Sequence, residues 1–101
     1  MPTSTPTPSA SGERVEIWLS MRGIKNEQLI QMVSSGEIPV NVTHLSLMGN
    51  ELSDISPLSG LIYLEYLDIG RNGKISDLTP LQGLTNLKSL NCLYNNISQT
   101  V

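Results

Sequence analysis

The chain has 101 residues, of which 39% are hydrophobic, 15% are charged and 4% are aromatic, and its net charge is −3. This length suits one small domain with an aliphatic core. The mild negative charge, without a run of lysine or arginine, argues against nucleic acid as a partner, because phosphate binding relies on clustered cations. No apolar stretch approaches the roughly 20 residues needed to span a bilayer, so we expect no membrane insertion.

The first twelve residues, MPTSTPTPSASG, are small or polar residues and prolines after the initiating methionine. Such a segment cannot bury enough apolar surface to offset the entropy lost on ordering. We therefore interpret residues 1–12 as a disordered Thr/Pro/Ser linker that joins the domain to something upstream. The alternative is a cloning scar or a mis-assigned start of the chain.

Residues 13–40 combine a strand pattern with a helix pattern. Apolar residues alternate over residues 15–21, which is typical of a strand. Asn26 is the predicted N-cap of a helix, Ile30 belongs to its apolar stripe, and Gly36 is the predicted C′ residue. We predict that this strand and helix form a capping repeat, because the end of a solenoid would otherwise leave its apolar side in water.

A phrase of about 22 residues recurs along the rest of the chain. Its three copies are Val42-x-x-Leu45-x-Leu47-x-x-Asn50-x-Leu52, Leu64-x-x-Leu67-x-Ile69-x-x-Asn72 and Leu87-x-x-Leu90-x-Cys92-x-x-Asn95. The period is 22 residues from Asn50 to Asn72 and 23 residues from Asn72 to Asn95. A fixed period of this size indicates a stacked solenoid. The segment Ile17–Ile24 aligns with Leu45–Leu52, which predicts a fourth, divergent copy in the N-terminal unit.

Each copy predicts a short strand, a turn and one helical turn. The alternating apolar residues point to one side of the strand. An asparagine follows where the chain turns, and its amide can satisfy backbone groups that no regular ladder reaches. We therefore predict a structural ladder of Asn50, Asn72 and Asn95. Ser56-Pro57 and Thr79-Pro80 predict an N-cap followed by proline at the first position of a short helical or 3₁₀ turn.

The spacing LxxLxLxxNxL resembles that of the leucine-rich repeat family. The 22-residue length and the stretches SDISPL and SDLTPL at 53–58 and 76–81 are similar to the bacterial internalin-like subclass. The resemblance covers residues 41–101, with two complete repeats and a truncated third. It implies an α/β fold, namely a right-handed solenoid with a parallel β-sheet on its concave face and short 3₁₀ or helical turns on its convex face. It also implies a role in protein recognition.

Side chains between the core positions should form columns across the concave face, about 4.8 Å apart from strand to strand. Tyrosine, arginine and tryptophan are frequent binding hot spots. The predicted binding residues are His44, Ser46, Met48, Tyr66, Asp68, Arg71, Ser89, Asn91, Leu93 and Tyr94, with Tyr66, Asp68, Arg71 and Tyr94 as the strongest candidates. Trp18 aligns weakly with the column of Ser46. The alternative is a solvated sheet face without a selected partner.

The residues do not predict catalysis, a metal site or a cofactor. His44 is the only histidine, and no cysteine or carboxylate cluster shares its column. Asp54 and Asp77 fall in adjacent coils, where paired carboxylates could act as acid and base or bind a cation. Each lies at the entry to a helical turn, so we favour a role in capping backbone N–H groups. Cys92 takes a core position and is predicted to be a buried, inert thiol.

These patterns favour a non-enzymatic module that binds another protein. Four short strands give a concave face of about 300 Å², whereas a standard interface needs about 800 Å² per partner. The chain ends at Val101 before the third copy reaches its Pro-Leu turn. We therefore expect a fragment of a larger bacterial surface or secreted protein, whose open last coil favours end-to-end self-association. The alternatives are a targeting domain of a larger enzyme or effector, a spacer without a ligand, and a cytoplasmic location.

Overall fold

The computed structural model describes residues 14–97. The elements in chain order are β1 (Glu16–Trp18), α1 (Asn26–Ser35), β2 (His44–Ser46), a first 3₁₀ turn (Ser56–Gly60), β3 (Tyr66–Asp68), a second 3₁₀ turn (Thr79–Leu81) and β4 (Ser89–Asn91). The strands form one parallel sheet in the order β1-β2-β3-β4. The α/β solenoid expected from the repeat is therefore confirmed, while the predicted linker of residues 1–12 lies outside the described residues.

Equal positions of successive coils lie side by side in this sheet. The inward-facing row consists of Ile17, Leu45, Leu67 and Leu90. The predicted alignment of the N-terminal unit with the first repeat is thereby confirmed at the strand. Backbone bonds extend this register beyond the strands, because the Gly49 N–H donates to the Gly70 carbonyl at 2.9 Å and the Arg71 N–H donates to the Leu93 carbonyl at 2.8 Å.

The core is a continuous stack of aliphatic side chains between the sheet and the turns. Its largest fully buried members are Leu29, Ile38, Leu45, Leu47, Leu52, Ile55, Leu58, Leu61, Leu64, Leu67, Ile69 and Ile75. Burial of one such side chain contributes about 1.5–3 kcal/mol relative to leaving it in water. The repeat thus stabilises each coil by covering its apolar side with the next coil.

Asn50 joins the N-terminal unit to the first repeat. Its Oδ1 accepts hydrogen bonds from the N–H groups of Arg22 at 2.9 Å and Ile24 at 3.0 Å. Its Nδ2 donates to the carbonyls of Leu19 and Leu47, both at 2.9 Å. One buried amide therefore satisfies backbone groups on two coils that would otherwise lose their hydrogen bonds to water.

Asn72 and Asn95 repeat this arrangement in the next two coils. Asn72 accepts from the Leu52 N–H at 3.1 Å and donates to the Ile69 carbonyl at 2.8 Å. Asn95 accepts from the Ile75 N–H at 3.4 Å, and it donates to the Ile69 carbonyl of the preceding coil at 2.8 Å and to the Cys92 carbonyl of its own coil at 3.1 Å. Each asparagine bonds its own coil and the preceding one, which holds the stack in register.

Helix α1 begins at Asn26, whereas the predicted N-cap at Asn26 implied a first helical residue one position later. Lys25 has the extended backbone of an N-cap, and its N–H donates to the Gln28 side chain at 2.9 Å. The Asn26 side chain instead accepts from the N–H groups of Ser53 at 3.0 Å and Asp54 at 3.1 Å. The prediction that Asn26 caps its own helix is therefore wrong, because its side chain bonds the next coil.

Helix α1 ends at the predicted position, but its buried apolar stripe differs from the predicted one. Gly36 has φ 86°, a left-handed conformation suited to glycine, and its N–H donates to the Val33 carbonyl at 3.3 Å. Leu29 is fully buried and Val33 is half-buried, but Ile30 is exposed. The inclusion of Ile30 in the buried stripe is wrong, because residues three and four positions apart share a helix face and adjacent residues do not.

Aspartates cap the two 3₁₀ turns. The Asp54 Oδ1 accepts from the Ser56 N–H at 3.0 Å, and the Asp77 Oδ1 accepts from the Thr79 N–H at 2.9 Å. The capping role predicted for both carboxylates is confirmed. The N-caps predicted at Ser56 and Thr79 are wrong, since Ile55 and Leu78 hold the N-cap positions and the turns begin at Ser56 and Thr79 themselves.

The last described coil is covered on one side only. Leu90 is 39% exposed, although Leu45 and Leu67 in the same row are fully buried. Cys92 is half-buried, so the prediction of a buried thiol is wrong. The physical reason is that, within residues 14–97, no further coil packs against β4.

Candidate binding surface

Two columns of side chains cover the outer face of the sheet, the side turned away from the core. One column is Trp18, Ser46, Asp68 and Asn91, and the other is Glu16, His44, Tyr66 and Ser89. Beyond the strand ends, the hydrogen-bonded register adds Met48, Gly70 and Leu93. The structure thus brings the predicted binding residues other than Arg71 and Tyr94 together on one face, and it adds Glu16 and Trp18 to them.

Two of the predicted contact residues offer almost no surface. Ser46 is 4% exposed and Asp68 is 7% exposed. The Ser46 Oγ lies 2.8 Å from the Ser20 Oγ, and the Tyr66 hydroxyl donates to the Asp68 Oδ2 at 3.4 Å. Both side chains are therefore engaged in hydrogen bonds within the chain, and their role in binding stays a prediction.

Three rings form an aromatic cluster across β1, β2 and β3. The centroids of Trp18 and Tyr66 are 6.0 Å apart with an interplanar angle of 51°. His44 stacks on Tyr66 at 6.2 Å and 23°. Trp18 lies beside Ser46 and Tyr66 lies beside His44 on the two sides of β2, so the two rings approach each other across that strand. Trp18 remains 50% exposed, which leaves ring surface available to a ligand.

Polar groups around the aromatic cluster orient its rings. The Trp18 indole Nε1–H donates to the Glu16 Oε1 at 3.1 Å, and this bond, together with the ion pair between Arg14 and Glu16, holds the pKa of the Glu16 carboxyl below its usual range. The pKa of Tyr66 is raised, mainly by desolvation and further by the negative charge and hydrogen bond of Asp68. Tyr66 is therefore held as a neutral hydroxyl donor beside a carboxylate.

A row of left-handed residues borders the face where each coil leaves its strand. We call this row the rim; it consists of Met21 (φ 60°), Gly49 (φ 72°), Arg71 (φ 58°) and Tyr94 (φ 61°). Left-handed backbone costs a residue with a Cβ about 1–2 kcal/mol, whereas glycine adopts it freely. Three of the four rim residues therefore occupy a backbone conformation that disfavours them.

Contacts within the rim join its members in two pairs, Met21 with Gly49 and Arg71 with Tyr94. The Arg71 guanidinium lies 4.6 Å from the centroid of the Tyr94 ring, within the range of a cation–π interaction. A Cβ added at Gly49 would meet the Met21 side chain, so Met21 lies across that glycine. Met21 is 71% exposed and Tyr94 is 68% exposed. Sequence reasoning missed Met21, although the alignment that places it beside Gly49 was a usable signal.

Residues 14–97 contain neither a group of side chains placed to hold a metal ion nor a helix that could span a membrane. The histidines, cysteines and acidic residues of this range include no group of three or more placed to hold a metal ion. No helix in this part of the chain has the length and apolar character to cross a membrane. The outer face of the sheet and the rim are therefore the candidate surface that the fold positions best.

Comparisons with known proteins agree with this geometry. Residues 40–83 match a family model that describes two copies of leucine-rich repeats. The structure of internalin C2 from Listeria monocytogenes is similar, with a TM-score of 0.74 and 34% identity over 84% of this chain and 34% of that one. Internalin F from the same organism gives a TM-score of 0.72 and 36% identity over 85% of this chain and 23% of that one. A comparison with curated proteins gave no match.

Proposed function

Since this chain is an internalin-like leucine-rich repeat protein, a class of interaction scaffold, we propose that it binds a partner protein through the rim and the outer face of its sheet. We also propose that it forms one part of a larger bacterial surface or secreted protein. The chain spans 34% of internalin C2 and 23% of internalin F, which supports a longer parent protein.

The observation that carries the proposal is the rim. Gly49 shows that the fold accepts glycine at this position without strain. Met21, Arg71 and Tyr94 nevertheless hold left-handed backbone there, and their large side chains project into solvent instead of packing into the core. Strain that contributes nothing to the core supports a functional role for the side chains that cause it.

The chemistry of the rim suits protein recognition. Arginine and tyrosine are enriched among interface hot spots, because they combine a large flat surface with directed hydrogen bonding. Stacking on Tyr94 restrains the Arg71 side chain, which lowers the entropy lost when a partner binds it. Leu93 beside Tyr94 is 65% exposed and adds apolar area. The predicted roles of these three residues stay predictions that binding measurements must test.

The decisive experiment separates partner contact from a spacer function. A photo-reactive amino acid placed at Tyr94 should crosslink the partner, and the same group at the exposed Ile62, after the first 3₁₀ turn, is the matched control. With the captured partner purified, Arg71→Ala and Tyr94→Ala should each weaken binding about tenfold or more. Ile62→Ala should leave the affinity unchanged.

Folding of every variant is checked by circular dichroism, so that lost binding is not confused with unfolding. If alanine at Tyr66, Arg71 and Tyr94 together leaves partner binding unchanged, the outer face is not the contact surface. The chain would then act as a spacer, or it would bind through another face.

We also propose that isolated chains associate end to end through β4. Within residues 14–97, β4 lies at the edge of the sheet and Leu90 is exposed, which supports this proposal, because an uncovered edge strand presents backbone hydrogen-bonding groups to another chain. The measurement is the mass in solution as a function of concentration, with Leu90→Lys as the variant expected to remain monomeric. A monomer over the whole concentration range of the wild-type chain contradicts the proposal.

A further inference from the structure

Asp68 is a nearly buried carboxylate, only 7% exposed, that forms no ion pair with another of the described residues. The ion pairs Arg14–Glu16 and Lys88–Glu65 lie elsewhere, and no lysine or arginine nitrogen of residues 14–97 lies within 4 Å of the Asp68 carboxylate. Its partners are the Gly70 N–H, which donates to Oδ1 at 2.9 Å, and the Tyr66 hydroxyl. A carboxylate is rarely this deeply buried unless a positive charge accompanies it.

The hydrogen bond at the end of β3 does not by itself call for a charged side chain at Asp68. Asn91 occupies the same column one coil further on, and its Oδ1 accepts from the Leu93 N–H at 3.1 Å. This bond corresponds to the one that the Asp68 Oδ1 accepts from the Gly70 N–H. A neutral amide therefore makes the same kind of bond in the next coil, so this bond does not account for the negative charge at Asp68.

The aromatic rings beside Asp68 would favour the binding of a cation from a partner. Tyr66 contacts Asp68 through its hydroxyl, and Trp18 lies against Tyr66 with half of its surface exposed. A guanidinium is attracted to the face of tryptophan or tyrosine within about 6 Å and forms directed bonds to a carboxylate. Arg71, which belongs to the same coil as Asp68, stacks on Tyr94 instead.

We infer that the aromatic cluster and Asp68 form a subsite for an arginine side chain of the partner protein. The guanidinium would stack on Trp18 and Tyr66 while its N–H groups donate to the Asp68 carboxylate. The net charge of −3 attracts such a partner over longer distances. Arginine is favoured over lysine because its planar, weakly hydrated group suits stacking and burial. This inference rests on the proposed function, since it names the chemistry that the outer face recognises.

The chain carries its own reporter for a test. Trp18 is the only tryptophan, so its fluorescence and its indole N–H resonance report on this subsite alone. The probes are the peptide acetyl-Gly-Arg-Gly-amide and its citrulline analogue, which has a similar shape but no charge. The arginine peptide should shift the Trp18 signals in a saturable, salt-sensitive manner, and the citrulline peptide should not.

The matched variants are Asp68→Asn and Glu27→Gln. Each removes one negative charge, but the amide oxygen introduced by Asp68→Asn would keep the bond to Gly70, and Glu27 lies on α1, away from the face. Asp68→Asn should weaken arginine-peptide binding about fivefold or more, and Glu27→Gln should leave it unchanged.

Equal responses to arginine and citrulline, or unaltered affinity in Asp68→Asn, would overturn the inference. Equal binding of a lysine peptide would overturn the assignment to arginine. If these tests fail while the rim variants still weaken binding of the partner protein, only the proposal of an arginine subsite is refuted. If the rim variants leave partner binding unaltered, the proposed function itself fails.

Discussion

The inner coils and the last coil contain the same repeat but differ in burial. Leu67 in β3 is fully buried, whereas Leu90 in the same row of β4 is 39% exposed. At the opposite end, α1 packs Leu29 into the core, and Leu19 and Ile24 of the first coil are buried with it. The comparison shows that a repeat position specifies where a side chain points, while the neighbouring coil decides whether water reaches it.

The two regions should differ most in the free energy of unfolding that is lost when an inward-facing leucine is replaced by alanine. Leu67→Ala should lower the free energy of unfolding by about 2–5 kcal/mol, because it removes buried methyl groups and leaves a cavity. Leu90→Ala should cost less than about 1.5 kcal/mol, since that side chain is already partly solvated. Urea unfolding followed by circular dichroism measures both. Equal losses would mean that β4 is covered in solution.

Alanine substitutions in the asparagine ladder should show a similar but smaller difference in lost stability between a buried and a half-buried position. Asn50→Ala leaves buried backbone groups such as the Ile24 N–H without a partner and should cost about 2 kcal/mol. Asn95 is only half-buried, so water can replace its bonds, and Asn95→Ala should cost about 1 kcal/mol or less. Thermal unfolding measures the losses, and hydrogen exchange should show faster exchange at Ile24 in Asn50→Ala. A larger cost for Asn95→Ala would refute the dependence on burial.

Backbone geometry, separate from burial, is tested by two glycine substitutions. Gly49→Ala should destabilise the fold by about 1 kcal/mol, because φ 72° disfavours a Cβ and the Met21 side chain must move. Gly83→Ala, in a coil position with open space around the added Cβ, should be neutral or stabilising by up to about 1 kcal/mol. Thermal unfolding of the pair gives the sign of each effect. A neutral Gly49→Ala would show that the rim carries no strain.

The smallest expected effect concerns pH. The raised pKa of Tyr66 means that the folded state favours the neutral phenol. The stabilisation that the neutral Tyr66 gives to the fold is fully present below the ordinary pKa of about 10, and it is lost as the pH rises through the raised pKa. The free energy of unfolding should therefore decline less steeply above pH of about 10 in Tyr66→Phe than in the wild type. Urea unfolding across this range is the measurement.

A companion titration separates the causes of this shift. Ultraviolet absorbance of the tyrosinate, measured with Tyr63 and Tyr94 replaced by phenylalanine, follows Tyr66 alone. Asp68→Asn should lower its pKa part of the way to the ordinary value, because the negative charge is removed while desolvation remains. An unaltered titration would show that Asp68 does not act on Tyr66.

Most of the fold could be predicted because its determinants are local and recur. Alternating leucines placed β2, β3 and β4, and each asparagine marked a turn. Predictions failed where the partner of a side chain lies in another coil. Asn26 bonds residues 53 and 54, more than 25 positions away, and no local pattern distinguishes this from an ordinary helix cap. The low exposure of Ser46 could not be predicted either, since its hydroxyl pairs with Ser20 of the preceding coil, 26 positions away.

The period, the row in which each residue lies and the inward or outward direction of its side chain follow from the order of the amino acids alone, because a strand alternates its faces and a repeat keeps its register. Which of these positions water can reach depends on how the coils stack. Stacking brought Trp18 and Tyr66 together across β2, left Asp68 without a counterion among the described residues and left Leu90 exposed. Burial and pairing depend on atoms far away in the chain, and those atoms become neighbours only when the coils stack.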